Sequence, residues 1–169
     1  MTTAQVLQEI GLFKPLSDDQ LKSIIELVQT EKFEAGKEVY HQGQQADTVY
    51  VLLDGSFSLT IEAPEELDVM ADTVERTGSI LGMTALMKSG TYNETVTCTR
   101  SATVLAIESM GLQEIIRREP LNGLEVMVEL AQFYLNRLNN TRAASTVLSR
   151  ALRSVIHKSE VYSIYGENG

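Results

Sequence analysis

Between Lys32 and Ile107 the chain runs in short stretches of β-branched and aromatic residues, cut by glycine and polar clusters. No other feature constrains the fold as strongly. Stretches this short cannot build the apolar stripe of a helix, but they suit strands that send alternate side chains into a core. The segment therefore predicts an all-β sandwich or barrel. Val39–His41, Thr48–Leu53, Ser56–Ile61, Thr95–Cys98 and Thr103–Ile107 are the expected strands. Asp54-Gly55, between the second and third, reads as a hairpin turn, since both central positions of a type I′ turn need positive φ. In the segment Glu62–Glu75 the acids Glu62, Glu65, Glu66, Asp68, Asp72 and Glu75 crowd around Pro64. Their mutual repulsion and the missing proline amide predict an exposed connection or hairpin end there.

Helical patterns flank this β region. Ser17-Asp18-Asp19-Gln20 is a capping box, and Leu21, Ile24, Ile25 and Val28 recur after it at helical spacing, with Leu12-Phe13 placed to pack this helix onto its neighbours. On the far side, Gly111–Arg118 reads as a short helix ending before Pro120. Leu124, Met127, Ala131, Leu135 and Leu138 then form one apolar stripe, and Ala144, Leu148, Ala151 and Val155 a second. Asn139-Asn140-Thr141 breaks their register and predicts a bend or a new helix near Asn140. The first stripe either packs on its own β region or pairs with its twin in a homodimer through residues 121–138. The expected organisation is a helical element over 1–31, a β domain over 32–110, helices over 111–159 and a tail over 160–169.

Composition narrows the function. With 14 Lys and Arg against 23 Asp and Glu, the net charge is −9, which opposes electrostatic binding of nucleic acid by the bulk surface. Arg137, Arg142, Arg150, Arg153 and Lys158 nevertheless collect in a C-terminal stretch with no acid before Glu160. The lone cysteine, Cys98, excludes an internal disulfide and a four-cysteine cluster. No run approaches the ~18 apolar residues of a membrane span, and the opening MTTAQVLQEIG lacks the regions of a signal peptide, so a cytoplasmic protein is expected. With only His41 and His157, the chain cannot assemble the clustered ligands of a jelly-roll metalloenzyme. One axial histidine would leave haem as the weaker alternative. No nucleophile–base constellation or Walker loop is visible, so no enzymatic activity is expected.

The segment Ile80–Val96, ILGMTALMKSGTYNETV, has the shape of an anion cradle. Gly82, Ala85 and Leu86 predict a short helical turn whose backbone N–H groups face an anion, followed by the loop Lys88-Ser89-Gly90-Thr91 and a strand at Thr95-Val96. This resembles the phosphate-binding cassette of cyclic nucleotide-binding domains, whose pattern runs F-G-E-x-A-L, a loop, then R-x-A-T-V. Leu81 takes the Phe place, Gly82 the Gly, Ala85 and Leu86 the A-L pair, and Thr95-Val96 the T-V pair. Gly36, Gly43, Asp47, Tyr50 and Gly55 extend the match upstream, and the resemblance spans roughly residues 12–118.

The resemblance implies a mainly β fold with flanking helices, namely a β jelly roll of the catabolite-activator-like sensor type. It also implies a regulatory role and cAMP or cGMP as the small-molecule ligand. Its implied site comprises Leu81, Gly82, Met83, Thr84, Ala85, Tyr92, Asn93 and Thr95. In bacterial relatives the long helix dimerises and lids the pocket, and a helix-turn-helix domain comes after it. Here the chain ends about where that domain would start, so DNA binding is expected only of a longer regulator. Two departures bear on affinity. Met83 stands where the family has a ribose-binding Glu, and Tyr92 where it has a phosphate-binding Arg. A buried Arg–phosphate pair is worth roughly 2–5 kcal/mol, so cyclic-nucleotide binding is expected to be weakened, altered or lost. Two readings stay open: a pocket that still senses a small ligand, and an interaction or dimerisation scaffold filled by its own side chains.

Overall fold

The computed structural model describes residues 2–61, 69–87 and 90–139, with the side chains of 69–71 excepted. The chain divides into two compact units, Met1–Glu129 and Leu130–Gly169. In the second, the described residues 130–139 are helical. The first holds α1 (Thr3–Glu9), a 3-10 turn (Gly11–Phe13) and α2 (Asp18–Leu27). Next come the strands β1 (Val28–Phe33), β2 (Glu38–Tyr40), β3 (Thr48–Ile61), β4 (Val69–Val74), β5 (Ile80–Leu81) and β6 (Thr95–Glu108), with a 3-10 turn (Met83–Leu86) after β5. Helix α3 (Ser109–Arg118) leads into α4, which is helical over residues 120–129 in the first unit and starts with a proline. Proline suits that first position, where its missing N–H would have had no partner.

The strands form one antiparallel sheet in the order β1-β6-β3-β4, with β2 also on β6 and β5 on β3. Together with the flanking helices this is the expected jelly-roll class, mainly β with helices at both ends. Phe13, Ile24, Leu52, Phe57, Leu105, Ile107 and Leu112 are among its fully buried side chains, so the N-terminal helices, the sheet and α3 contribute to one core. The capping box forms as expected: the Ser17 side chain accepts from the Gln20 amide, and the Gln20 side chain accepts from the Ser17 amide. Gln20 is itself buried and donates to the Ile115 carbonyl at 2.8 Å, tying α2 to α3.

The structure corrects three expectations. Asp54-Gly55 is not a hairpin turn, because β3 runs unbroken from Thr48 to Ile61 and pairs with β6 on both sides of it. The dipeptide marks a bulged stretch, with register shifts between Leu52 and Phe57 and with Gly55 at φ 111°. The helical N-terminal region ends at Leu27, short of residue 31, because Val28–Phe33 pairs antiparallel with β6, from Val28 opposite Ile107 to Phe33 opposite Ala102. Within the acidic segment, Val69–Val74 is a strand on β3, whereas residues 62–68, on which the rest of the expected connection or hairpin end falls, lie outside the described residues. As the outermost strand of that order it carries the exposed Asp72, a charge suited to an edge that must not recruit another chain.

Within the first unit, the start of the first apolar stripe does not bury itself on its own roll. Leu124 and Met127 are 62 % and 42 % exposed, whereas Val126, off the stripe, is fully buried. Ala131, Leu135 and Leu138 are exposed in the second unit. The break at Asn140, the second stripe, the basic residues beyond Arg137, and Tyr162 and Tyr165 lie outside the described residues. Among the described residues, no helix is long and apolar enough to cross a membrane.

Candidate ligand-binding cassette

Strand β5 delivers the chain to the cassette by pairing Leu81 with Tyr50 of β3. Gly82 then turns it, at φ 71°, into the 3-10 turn Met83–Leu86. Only glycine fits this corner. A Cβ there would lie 2.8 Å from the Thr48 carbonyl oxygen and 3.0 Å from the Tyr92 ring. The Ala85 amide donates to the Gly82 carbonyl and the Met87 amide to that of Thr84, so the turn is closed by its own backbone. On the return side, the Tyr92 amide donates to the Gln44 carbonyl at 2.9 Å, and the chain enters β6 at Thr95.

The structure places the expected residues on β5, on the turn after it and at the entry to β6, and brings Gly82 against the Tyr92 ring. Leu81, Met83, Thr84, Ala85, Tyr92 and Thr95 are all buried, and Asn93 alone is exposed. Tyr92 is held most firmly. Its hydroxyl donates to the Thr48 carbonyl at 2.9 Å and accepts from the Thr48 amide at 3.3 Å. Its ring stacks on Tyr40 at a centroid distance of 3.7 Å and 14° between planes. Tyr40 in turn stacks on Tyr50 at 6.0 Å. Burial, and secondarily the neighbouring Tyr50, pushes the Tyr92 phenol up to about 12, with the Thr48 hydrogen bond opposing the shift. Near neutral pH the side chain is therefore an uncharged, fully engaged hydroxyl under a stacked ring.

Thr95 is likewise engaged. Its hydroxyl accepts from the Gln42 amide at 3.0 Å and lies 3.4 Å from His41 Nδ1. Among the described cassette residues no side chain is cationic, and Lys88 lies outside them. Sequence reasoning missed three contributors. Tyr40 and Tyr50 complete the aromatic stack, and Glu94, which fills the alanine place of R-x-A-T-V, is 4 % exposed. The acid at a small-residue position was the available signal for Glu94. Nothing local announced the stack, which joins side chains from three separate strands or loops.

Thr84 carries a further oddity. Its residue is 7 % exposed, and its hydroxyl has no hydrogen-bond partner among the described residues. A buried unsatisfied hydroxyl costs about 1–3 kcal/mol. Thr84→Val keeps the shape and removes that cost, so it should stabilise the protein by about 1 kcal/mol and raise the melting temperature by about 2–4 °C. Calorimetric melting checks this. A fall in stability would mean that the hydroxyl has a partner such as a bound water or ligand.

Comparison with known proteins agrees with this geometry. The fold is similar to that of a provisionally named cyclic nucleotide-binding protein from Geobacter metallireducens GS-15, at 26 % identity and a TM-score of 0.68, covering 82 % of this chain and 99 % of that one. It is also similar to the N-terminal domain of a transcriptional regulator from Streptomyces coelicolor A3(2), at 23 % identity and a TM-score of 0.64, covering 80 % and 95 %. A curated relative, a provisionally named potassium channel protein of Rhodopseudomonas palustris, is 24 % identical over 115 residues; the match covers 68 % of this chain and only 27 % of that protein. The family model of the cyclic nucleotide-binding domain matches residues 30–119, which runs from β1 through the sheet and cassette to the end of α3. On that match, the chain belongs to the cyclic nucleotide-binding domain family.

Proposed function

We propose that this domain is regulatory rather than enzymatic, that it acts in the cytoplasm, and that its cassette binds cAMP and cGMP weakly or not at all. The seating of Tyr92 carries this reading. A phosphate approaching Gly82 meets a ring already packed against that corner, whose hydroxyl is committed to both backbone groups of Thr48. Displacing it gives up two hydrogen bonds at about 0.5–1.5 kcal/mol each and a stacked pair at about 0.5–1.5 kcal/mol. Among the described cassette residues no arginine fork repays that loss, and Met83 offers a ribose hydroxyl no carboxylate acceptor.

Thermal melting with cyclic nucleotide tests the reading. A ligand at 100 times its Kd stabilises by about 2.7 kcal/mol, roughly 5–10 °C for a chain of this size. At 1 mM cAMP or cGMP the expected shift is below about 2 °C. A shift above about 5 °C would place the Kd near or below about 10 μM and overturn the proposal.

A specific observation favours a second element of this reading, homodimerisation through residues 121–138. Leu124 and Met127 are solvent-facing on a helix that otherwise buries Val126, and an unpartnered apolar seam is costly to leave in water. Sedimentation at micromolar concentration should give a dimer, and Leu124→Glu with Met127→Glu a monomer. A monomeric wild type would remove this element.

A further inference from the structure

Beside the cassette, and separate from its Tyr92 side, the first unit carries a groove of about 410 Å³. Leu86, at the end of the 3-10 turn, forms one wall, Ile116 and Arg117 of α3 the next, and Pro120, Leu124 and Met127 of α4 the third. The volume falls in the lower part of the roughly 300–1,000 Å³ typical of small-molecule sites, and the surface is mostly aliphatic. Among the described lining residues the one cation is Arg117. No carboxylate among the described residues pairs with it, and its hydrogen bond is a single N–H from Nη2 to Gln113 Oε1 at 3.1 Å. A guanidinium has five N–H donors, so most of this fork remains available beside an apolar cleft, in a chain of net charge −9.

We propose that the groove is a ligand site for a small aliphatic monocarboxylate, with its chain between Leu86, Ile116, Leu124 and Met127 and its carboxylate on Arg117. One cation against an apolar lining matches one anionic group on an apolar body. A polyphosphate or dicarboxylate would leave charge uncompensated, and a neutral hydrocarbon would leave the fork unused. The site is wired to the cassette. Gln113, which accepts from Arg117, donates through Nε2 to the Ala85 carbonyl at 3.0 Å, and Leu86 belongs to both structures. A carboxylate that draws the guanidinium toward itself acts on Gln113, and through it on the carbonyl that Gln113 holds. The inference does not depend on how the cassette treats cyclic nucleotides.

Calorimetry on the full chain, with decanoate below its micellar concentration and decanol as the uncharged control, tests it. Decanoate should bind one per chain and at least about tenfold more tightly than decanol. Arg117→Gln should lose about tenfold in decanoate affinity and leave decanol unchanged, because Arg117 is exposed and its replacement disturbs no core. Leu124→Glu, also at an exposed position, should weaken both probes. Absence of binding, equal affinity for the two probes, or an unaltered Arg117→Gln variant would overturn the assignment. Leu124 and Met127 also lie on the proposed dimer seam, so decanoate and a second copy compete for them, and the decanoate affinity should fall as protein concentration rises from about 5 to 200 μM.

Discussion

The variant carrying Tyr92→Arg and Met83→Glu should bind cAMP and cGMP at least about tenfold more tightly than the wild type, a gain of ~1.4 kcal/mol, in calorimetry at one salt concentration. The backbone corner at Gly82 and the closed 3-10 turn are already in place, so the substitutions act on side-chain chemistry alone. An arginine at 92 supplies a charge-assisted fork worth roughly 2–5 kcal/mol when desolvated. A glutamate at 83 supplies an acceptor for a ribose hydroxyl. Against this stands the loss of what Tyr92 does now: its two hydrogen bonds to Thr48 and its stack on Tyr40. The double variant should therefore melt below the wild type without ligand and recover with it. Tyr92→Phe separates the two effects, because it keeps the ring and removes only the hydroxyl; it should lose about 1 kcal/mol of stability and gain no ligand. Tight binding by the wild type would sink the weakened-pocket argument. No gain in the double variant would favour a domain whose pocket is closed for good and whose role is that of a scaffold.

Most of the fold was legible because its determinants are local or periodic. The capping box at Ser17 needs only four residues, and the cassette is spelled by a glycine and apolar residues at fixed spacing. Failures came where one local signal serves two structures. Asp54-Gly55 reports positive φ, and Gly55 does adopt it, but a bulge needs it as much as a turn does. The choice is made by β6, more than forty residues away, which pairs with both halves of β3. Strand β1 was missed for a related reason. Gln29, Thr30 and Glu31 do not read as a strand core, and only the pairing of Val28–Phe33 with β6 makes them one. At the site, the departure of Tyr92 from the family pattern was visible, but its partners were not. Tyr40 and Thr48 reach it through tertiary packing that no window of the sequence contains.

Gly55→Ala should be the most damaging single substitution in the roll, costing about 3–5 kcal/mol and lowering the melting temperature by about 10 °C. Two independent effects add. The backbone sits at φ 111°, outside the regions open to an L side chain, which alone costs about 1–2 kcal/mol. The added Cβ would also overlap both Cα and Cβ of Ala102 and come within 2.8 Å of the Ser101 carbonyl oxygen. These are backbone-anchored atoms of the paired strand that cannot swing away. The bulge is further fixed from β6 by the Ser56–Thr99 hydroxyl pair at 2.7 Å and by Arg100 Nη2, which donates to the Gly55 carbonyl at 3.1 Å. Relief would require β3 and β6 to part where they hold the sheet together. Gly43→Ala is the control, since Gly43 has a similar positive φ of 83° but nothing within 4 Å of the new Cβ. It should cost only the conformational share, about 1–2 kcal/mol. Urea unfolding of the two variants isolates the steric part as their difference. A difference below about 1 kcal/mol would show that the two strands yield at the bulge, and that the close approach of Gly55 to Ala102 is not what fixes the register there.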